Sequence, residues 1–299
     1  MIVAEKARNS ALARVYRHLP RAATPARHVG CRYMVEWRMA RKAVEYSLVL
    51  ALLACPALPE QGLVREEKSV VVDGATEVWR LVWKRAPRPA CGPDDPGSFT
   101  CPCFGFAFGE RGQLDLVRMR DGREIDRLHL TPLFGHDDFP FVPPEALVQR
   151  WERRDRDFVA SDDDLRFTRR VRGRPVVSVM NLADYDHDGQ STEFFLQTGV
   201  LPCGKRMGVV IGLSPGNQRL HAFGSALHPG KPLDLQKEQW DALGSSAGPV
   251  RVIDWGCGDH GSETEGEVEL QATSAGIRAV HREFECSPGR GKLLRKTQF

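Results

Sequence analysis

Turn-forming dipeptides cut this chain into short apolar runs, at about the 8–12-residue spacing of all-β architectures. Residues 69–84 alternate or run apolar around Asp73-Gly74, which reads as a β-hairpin. Residues 86–102 are rich in Pro, Gly, Asp and Ser and read as a loop. Residues 103–130 give strand candidates broken at Gly109–Gly112 and at Asp121-Gly122. Pro143-Pro144-Glu145 is expected to open a helix reaching about Arg154, with proline in its first turn. Ser161–Asp164 reads as a turn. Strand patterns return at Pro175–Met180, Glu193–Gln197 and Met207–Leu213. Asp234 is placed to cap a second short helix over 235–243, and Gly244 to stop it. Residues 249–296 supply about four more strands. Strands that do not alternate with long helices argue against a doubly wound sheet. The expected fold is mainly β: an antiparallel sandwich, a barrel or propeller-like sheets, with two short helices.

Charge divides the chain unevenly. Residues 1–55 hold 10 basic and 3 acidic side chains, a net +7, and the remaining 244 residues carry a net −4. The body therefore lacks the charge needed to grip nucleic acid, and no nucleic-acid partner is expected. Arg38, Arg41 and Lys42 precede the apolar run Tyr46–Ala54, which small residues and proline follow. That order is a secretory signal pattern. From Met39 the chain reads MARKAVEYSLVLALLAC, which leaves 1–38 as an upstream extension. The run is far shorter than the ~20 apolar residues of a membrane span, and no transmembrane segment is expected. Leu52-Leu53-Ala54-Cys55 resembles a bacterial lipobox, with Cys55 as the lipid-anchored residue; cleavage after Ala57 is the other route. The expected organisation is 1–55 as extension plus signal and 56–299 as a β-rich exported domain. Whether the stretch near 135–165 divides that domain stays open.

Cysteine usage agrees with export to the periplasm, the cell envelope or the extracellular space. Removing Cys31 and Cys55 leaves Cys91, Cys101, Cys103, Cys203, Cys257 and Cys286, an even set suited to disulfides. Neighbouring strand residues point to opposite faces, so Cys101 and Cys103 are not expected to pair with each other. The expected pairings are Cys91 with one of those two, and Cys257 with Cys286.

Residues 181–197 read NLADYDHDGQSTEFFLQ. Asp184, Asp186 and Asp188 stand at positions 1, 3 and 5 of a loop, with Gly189 at position 6. Calcium takes 6–8 oxygen ligands, and this spacing can fold three carboxylates round one ion. Glycine at the sixth position suits the tight wrap. The Gln190 carbonyl and the Glu193 carboxylate are the further expected ligands. Without a cation the aspartates repel one another. The segment resembles the DxDxDG calcium loops of EF-hand-like proteins and of the strand–loop–strand units in FG-GAP and VCBS repeats, over about 20 residues only. It departs from the EF-hand at Phe195, the twelfth position, and at Ser191, the eighth, and its flanks read as strands. In the strand-flanked loops the closing acid stands one residue before Glu193. His187, at position 4, is expected to face solvent.

Weaker constellations supply the rival readings. Asp254, Asp259, His260, Glu263 and Glu265 surround a glycine-rich turn, and Asp259-His260-Gly261 resembles an element of the alkaline phosphatase superfamily. That resemblance implies a metal-dependent hydrolase of phosphate or sulfate esters using Asp259 and His260. The family's early metal-binding Asp, Ser or Thr nucleophile and large α/β sheet have no counterpart here. His136-Asp137-Asp138 reads as loop. Trp79, Trp83, Trp151, Trp240 and Trp255 offer sugar stacking to a carbohydrate- or envelope-binding module, with core packing as the competing role. Trp79 and Trp83 fall on one strand face. The leading expectation is an exported calcium-binding β-rich protein, Ca2+ held by Asp184, Asp186, Asp188, Gln190 and Glu193 in a structural, non-catalytic role. That expectation leans away from an enzyme.

Overall fold

A computed structural model of the chain describes residues 62–92, 103–135, 144–154, 157–161, 164–167, 171, 173–201 and 204–299. The expected signal segment and Cys55, together with Cys101, Cys203 and His136-Asp137-Asp138, lie outside these residues. All described residues fall in one unit, Pro56–Phe299.

The strands in chain order are β1 (Leu63–Val72), β2 (Ala75–Trp83), β3 (Arg88–Ala90), β4 (Gly109–Gly112), β5 (Leu114–Arg120), β6 (Arg123–His129) and β7 (Ala146–Gln149). Next come β8 (Phe158–Ser161), β9 (Asp164–Phe167), β10 (Leu182–Ala183), β11 (Glu193–Val200), β12 (Arg206–Ser214), β13 (Asn217–Ala222) and β14 (Leu235–Gln236). Helix α1 (Lys237–Gly244) precedes β15 (Val250–Trp255), β16 (Thr264–Thr273), β17 (Gly276–Glu285) and β18 (Leu293–Gln298). The strands pair antiparallel. The first sheet is β1-β2-β5-β6, the second β10-β11-β12-β13 with β14 added to β12, and the third β15-β16-β17-β18. A small sheet, β3-β4-β7, and the ribbon β8-β9 complete the set, and none of these sheets closes into a barrel.

Side-chain alternation decides what each sheet covers. In β2 every second residue from Glu77 to Trp83 is buried. Trp79, Leu81 and Trp83 pack with Leu114 and Leu116 of β5 against Phe194, Leu196, Val209, Ile211 and Leu213 of the second sheet. Trp79 and Trp83 do share one strand face, and that face is core. The opposite face of the second sheet carries Val210, which packs with Trp240 and Leu243 of α1 and with Val268, Leu270, Ile277 and Ala279 of the third sheet. The second sheet is thus covered on both faces, so β12 reads as a continuous apolar run where the outer strands alternate.

Glu77 is fully buried beneath the first sheet. Burial alone raises its pKa, but hydrogen bonds from Arg118 (2.8 Å), Trp79 Nε1 (3.0 Å) and Arg120 (2.5 Å) outweigh it and hold the carboxyl below its ordinary value.

Four local expectations are corrected. The helix expected over 143–154 is absent among its described residues: Ala146–Gln149 is strand β7, paired with β4. Its alternation fits a strand, Ala146 and Val148 being buried, and the partner strand overrides the Pro-Pro-Glu start signal. Gly109–Gly112, expected as a break, is strand β4. Pro175–Met180 makes only an isolated bridge, Trp151 to Val176. Its backbone is satisfied by side chains instead: Glu66 accepts the Val179 and Met180 N–H groups at 2.7 and 3.3 Å, and Arg65 donates to the Val177 carbonyl at 2.6 Å. Of the two expected helices only α1 forms. Gln236, not Asp234, is its N-cap, in a reciprocal capping box with Gln239. The turns at Asp73-Gly74 and Asp121-Gly122 form as expected, with positive φ at all four residues.

Phe194 is fully buried between the first and second sheets, whereas Ile253 is 58% exposed. Phe194→Ala should lower the unfolding free energy in urea by about 3–5 kcal/mol, and Ile253→Ala by less than about 0.5 kcal/mol.

Candidate metal centre

The segment Asp184–Thr192 connects β10 to β11, whose pairing of Leu182 with Phe194 and Ala183 with Glu193 fixes the two ends of the loop. Short polar side chains then shape it. Asp184 accepts the Asp188 N–H at 3.1 Å and the Gly189 N–H at 3.0 Å. Asp186 accepts the Asp188 N–H at 3.2 Å, and Asp188 accepts the Gln190 N–H at 2.8 Å. These are Asx-type turns, which wind the backbone about the carboxylates. The winding needs positive φ at His187 (60°) and at Gly189 (90°). As a result Asp184, Asp186 and Asp188 each offer a carboxylate oxygen within 4.8 Å of the others. No other such group of acids, histidines and cysteines occurs among the described residues.

Three anchors hold the loop to its surroundings. The Gln190 side chain reaches the first sheet, its Oε1 accepting the Asp73 N–H at 2.9 Å. His187 is half-buried and its Nε2 meets the Leu243 carbonyl at 2.8 Å, at the C-terminal end of α1. A carbonyl only accepts, so the proton is on that nitrogen. Tyr185 packs edge-on against Trp240 at 6.1 Å between ring centroids. The expectation that His187 points to solvent is therefore corrected: a polar residue at a surface loop position carries no signal that a helix end lies beside it.

Glu193 is fully buried at the first position of β11. Its carboxylate accepts from the Thr192 hydroxyl at 2.6 Å and from the Tyr185 N–H at 2.8 Å. It is not among the three acids whose oxygens converge. Burial pushes its carboxyl up to about 8; those two hydrogen bonds work against the rise, and Asp186 and Asp188 add to it. Asp186 is pushed up to about 6, by burial first and then by Asp188. Its Oδ2 is buried and makes no hydrogen bond among the described residues.

The rest of the protein treats buried acids differently. Glu77, Glu110, Asp115, Asp126, Asp157 and Glu269 each have an arginine within ion-pair distance. Glu193 alone among the buried acids of the described residues has neither Lys nor Arg, and the oxygen of Asp186 beside it is unpartnered. Negative charge is gathered with no protein cation to balance it. An all-oxygen donor set suits a hard cation such as calcium, and the absence of His and Cys from the cluster disfavours zinc. Asp184, Asp186 and Asp188 fit that group; Glu193 contributes charge nearby.

The rival constellation does not assemble in the same way. Asp259 lies on a short turn with its carboxylate 3.8 Å from Lys205. Asp254 accepts from Gln236 and Gln239 at 2.5 and 3.2 Å and lies 3.6 Å from His281. The side chain of His260 lies outside the described ones. Trp79, Trp83 and Trp240 are buried and offer no stacking platform. Cys91, expected to pair with Cys101 or Cys103, stands at disulfide distance from Cys103, and the expected pair Cys257–Cys286 does likewise, with Cα atoms 5.0 and 5.6 Å apart. No helix of the described residues is long and apolar enough to cross a membrane. No protein-family model matches the sequence, and neither the curated proteins nor the solved structures give a match.

A side chain at position 189 meets nothing within 4 Å, so its only cost is the positive φ. Gly189→Ala should lower stability by about 1–2 kcal/mol in chemical denaturation.

Proposed function

We propose that this is an exported calcium-binding protein in which the cation is structural, binding at Asp184, Asp186 and Asp188 and fixing the β10–β11 loop. The observation that carries the reading is the convergence of three carboxylates within 4.8 Å, one of them with a buried oxygen that no donor meets. A divalent cation would remove the mutual repulsion and the cost of burying Asp186. Calcium takes 6–8 oxygens, so the Gln190 carbonyl and water are the ligands we assign to the remaining positions. Glu193 is assigned a supporting role: its hydrogen bond to the Tyr185 N–H holds the start of the loop.

Export has its own support. Two cysteine pairs suit an oxidising compartment. Outside the cytoplasm calcium is abundant, and a site of about 10⁻⁴–10⁻³ M affinity would stay filled. The strand–loop–strand setting and the Asp-x-Asp-x-Asp-Gly spacing are those of the FG-GAP and VCBS calcium loops that the segment resembles.

The test is thermal unfolding of the full chain in excess calcium against excess chelator. Calcium at about 100 times its dissociation constant should add about 2.7 kcal/mol, raising the melting temperature, and chelator should reverse the gain. Asp186→Asn combined with Asp188→Asn should abolish the difference. Identical melting curves with calcium and with chelator would overturn the assignment.

A further inference from the structure

A second group of residues lies at the same end of the second sheet as the acidic loop, where Glu193 of β11 pairs with Gly212 of β12, and shares a cleft with that loop. A cleft opens where the second and third sheets part, beyond the contact of Phe223 and Ile277. Ser214, Asn217 and His221 line it on the side of the second sheet together with Asp186 and Asp188 of the acidic loop, and the β16–β17 turn around Ala275 lines it on the third.

The register of β12 and β13 explains why Ser214 and His221 meet. His221 lies directly opposite Gly212. A Cβ on Gly212 would stand 2.3 Å from the Thr192 carbonyl oxygen, so glycine is required there, and His221 has no side chain directly across from it. Ser214, two residues further, falls on the same face as Gly212. The ladder also shifts register between Gly212 and Ser214, an irregularity of the kind that re-aims side chains beside functional sites. The Ser214 Oγ stands 3.4 Å from His221 Nε2.

The imidazole is oriented for one role. Its Nδ1 is 2.9 Å from the Arg219 carbonyl, which can only accept, so Nδ1 bears the hydrogen. Nε2 therefore presents its lone pair to the Ser214 hydroxyl. Stacking on Phe223, at 5.0 Å and 15°, fixes the ring plane. A hydroxyl, a base within reach and a third group orienting the base are the parts of an activated nucleophile, and the contact is often loose before substrate binds. Asn217 supplies the remaining part. Its Oδ1 accepts the Arg219 N–H at 3.0 Å, which leaves its NH2 as a donor in the same cleft, suited to charge developing on a carbonyl oxygen.

We propose that Ser214 and His221 form a nucleophile–base pair that hydrolyses small carboxylic esters in this cleft, with the Asn217 amide facing the carbonyl oxygen. Ser214 Oγ bonds to the acyl carbon as Nε2 takes its proton. The bond to the alcohol oxygen breaks, and the proton passes to that oxygen. Water then attacks the acyl-serine, giving its proton to Nε2, and the proton returns to Ser214 as the acid leaves. The base is oriented by a neutral carbonyl, which stabilises the imidazolium less than the carboxylate of a full triad does. That favours esters, whose alkoxides leave readily, over amides. The pair itself uses no metal, but Asp186 and Asp188 line the same cleft, and a cation bound there would offset their charge against the developing oxyanion; labelling of Ser214 is read separately from the calcium-dependent melting shift.

The experiment treats the full chain, in calcium-containing buffer, with a fluorophosphonate probe and with p-nitrophenyl acetate. The expected result is a covalent adduct mapped by mass spectrometry to Ser214. Hydrolysis should fall about 10²–10⁴-fold in Ser214→Ala and in His221→Gln, the range of general acid–base contributions, with melting temperatures like the parent's. Labelling of the unmodified protein does not depend on any variant folding. Absence of an adduct at Ser214, or hydrolysis undiminished in a folded Ser214→Ala protein, overturns the proposal.

Discussion

The second sheet is buried on both faces, and the rest of the structure depends on that constraint. Six consecutive residues of β12, Gly208–Leu213, are buried. Their side chains alternate between the first sheet on one side and α1 with the third sheet on the other. A strand in this position cannot carry function along its length, because polar groups there would need partners in both layers. Chemistry is therefore displaced to an end of the sheet, where the acidic loop before β11 and the Ser214–His221 pair at the β12–β13 turn line one cleft.

The same constraint explains how the acidic loop is held. Its carboxylates are wound inward by their own Asx turns, but its position comes from elsewhere: Gln190 on the first sheet, His187 on the end of α1, Tyr185 on Trp240. The first sheet and α1 are both fastened to these nine residues. A structural cation at this point would act on the joint between layers, beyond the loop itself. The other buried acids of the described residues are matched with arginines, so Glu193 and Asp186, which have none, distinguish this place electrostatically from the other polar networks.

How much of this was legible in the sequence depends on the range of the signal. Asp73-Gly74 and Asp121-Gly122 were readable because a two-residue hairpin turn is chosen by its own backbone conformations. The Asp184-Asp186-Asp188-Gly189 spacing was readable because successive odd positions of a tight loop face one centre. The four C-terminal strands and α1 followed from local patterning; cysteine spacing pointed to Cys257 with Cys286 but left Cys91 open between Cys101 and Cys103, and the fold brings it to Cys103. What failed was non-local. Ala146–Gln149 is a strand because β4 lies beside it, and Val177–Met180 is irregular because Arg65 and Glu66, more than 100 residues away, take over its hydrogen bonds. The outward reading of His187 failed for the same reason. Ser214 and His221 could not be paired from spacing, since a register shift and an obligatory glycine bring them together.

Two cysteine cross-links among the described residues bridge only 12 and 29 residues of chain, and each joins segments flanking strands of one sheet. Neither ties one layer to another. Reduction would thus free the margins, at Cys91–Cys103 beside β3 and at Cys257–Cys286 beside β15 and β17, and leave the stacked layers to their apolar packing and to polar contacts such as Leu220 N–H to Asp126 and Trp240 Nε1 to the Gly208 carbonyl. These two bonds accordingly act on the architecture as a fastening of its periphery.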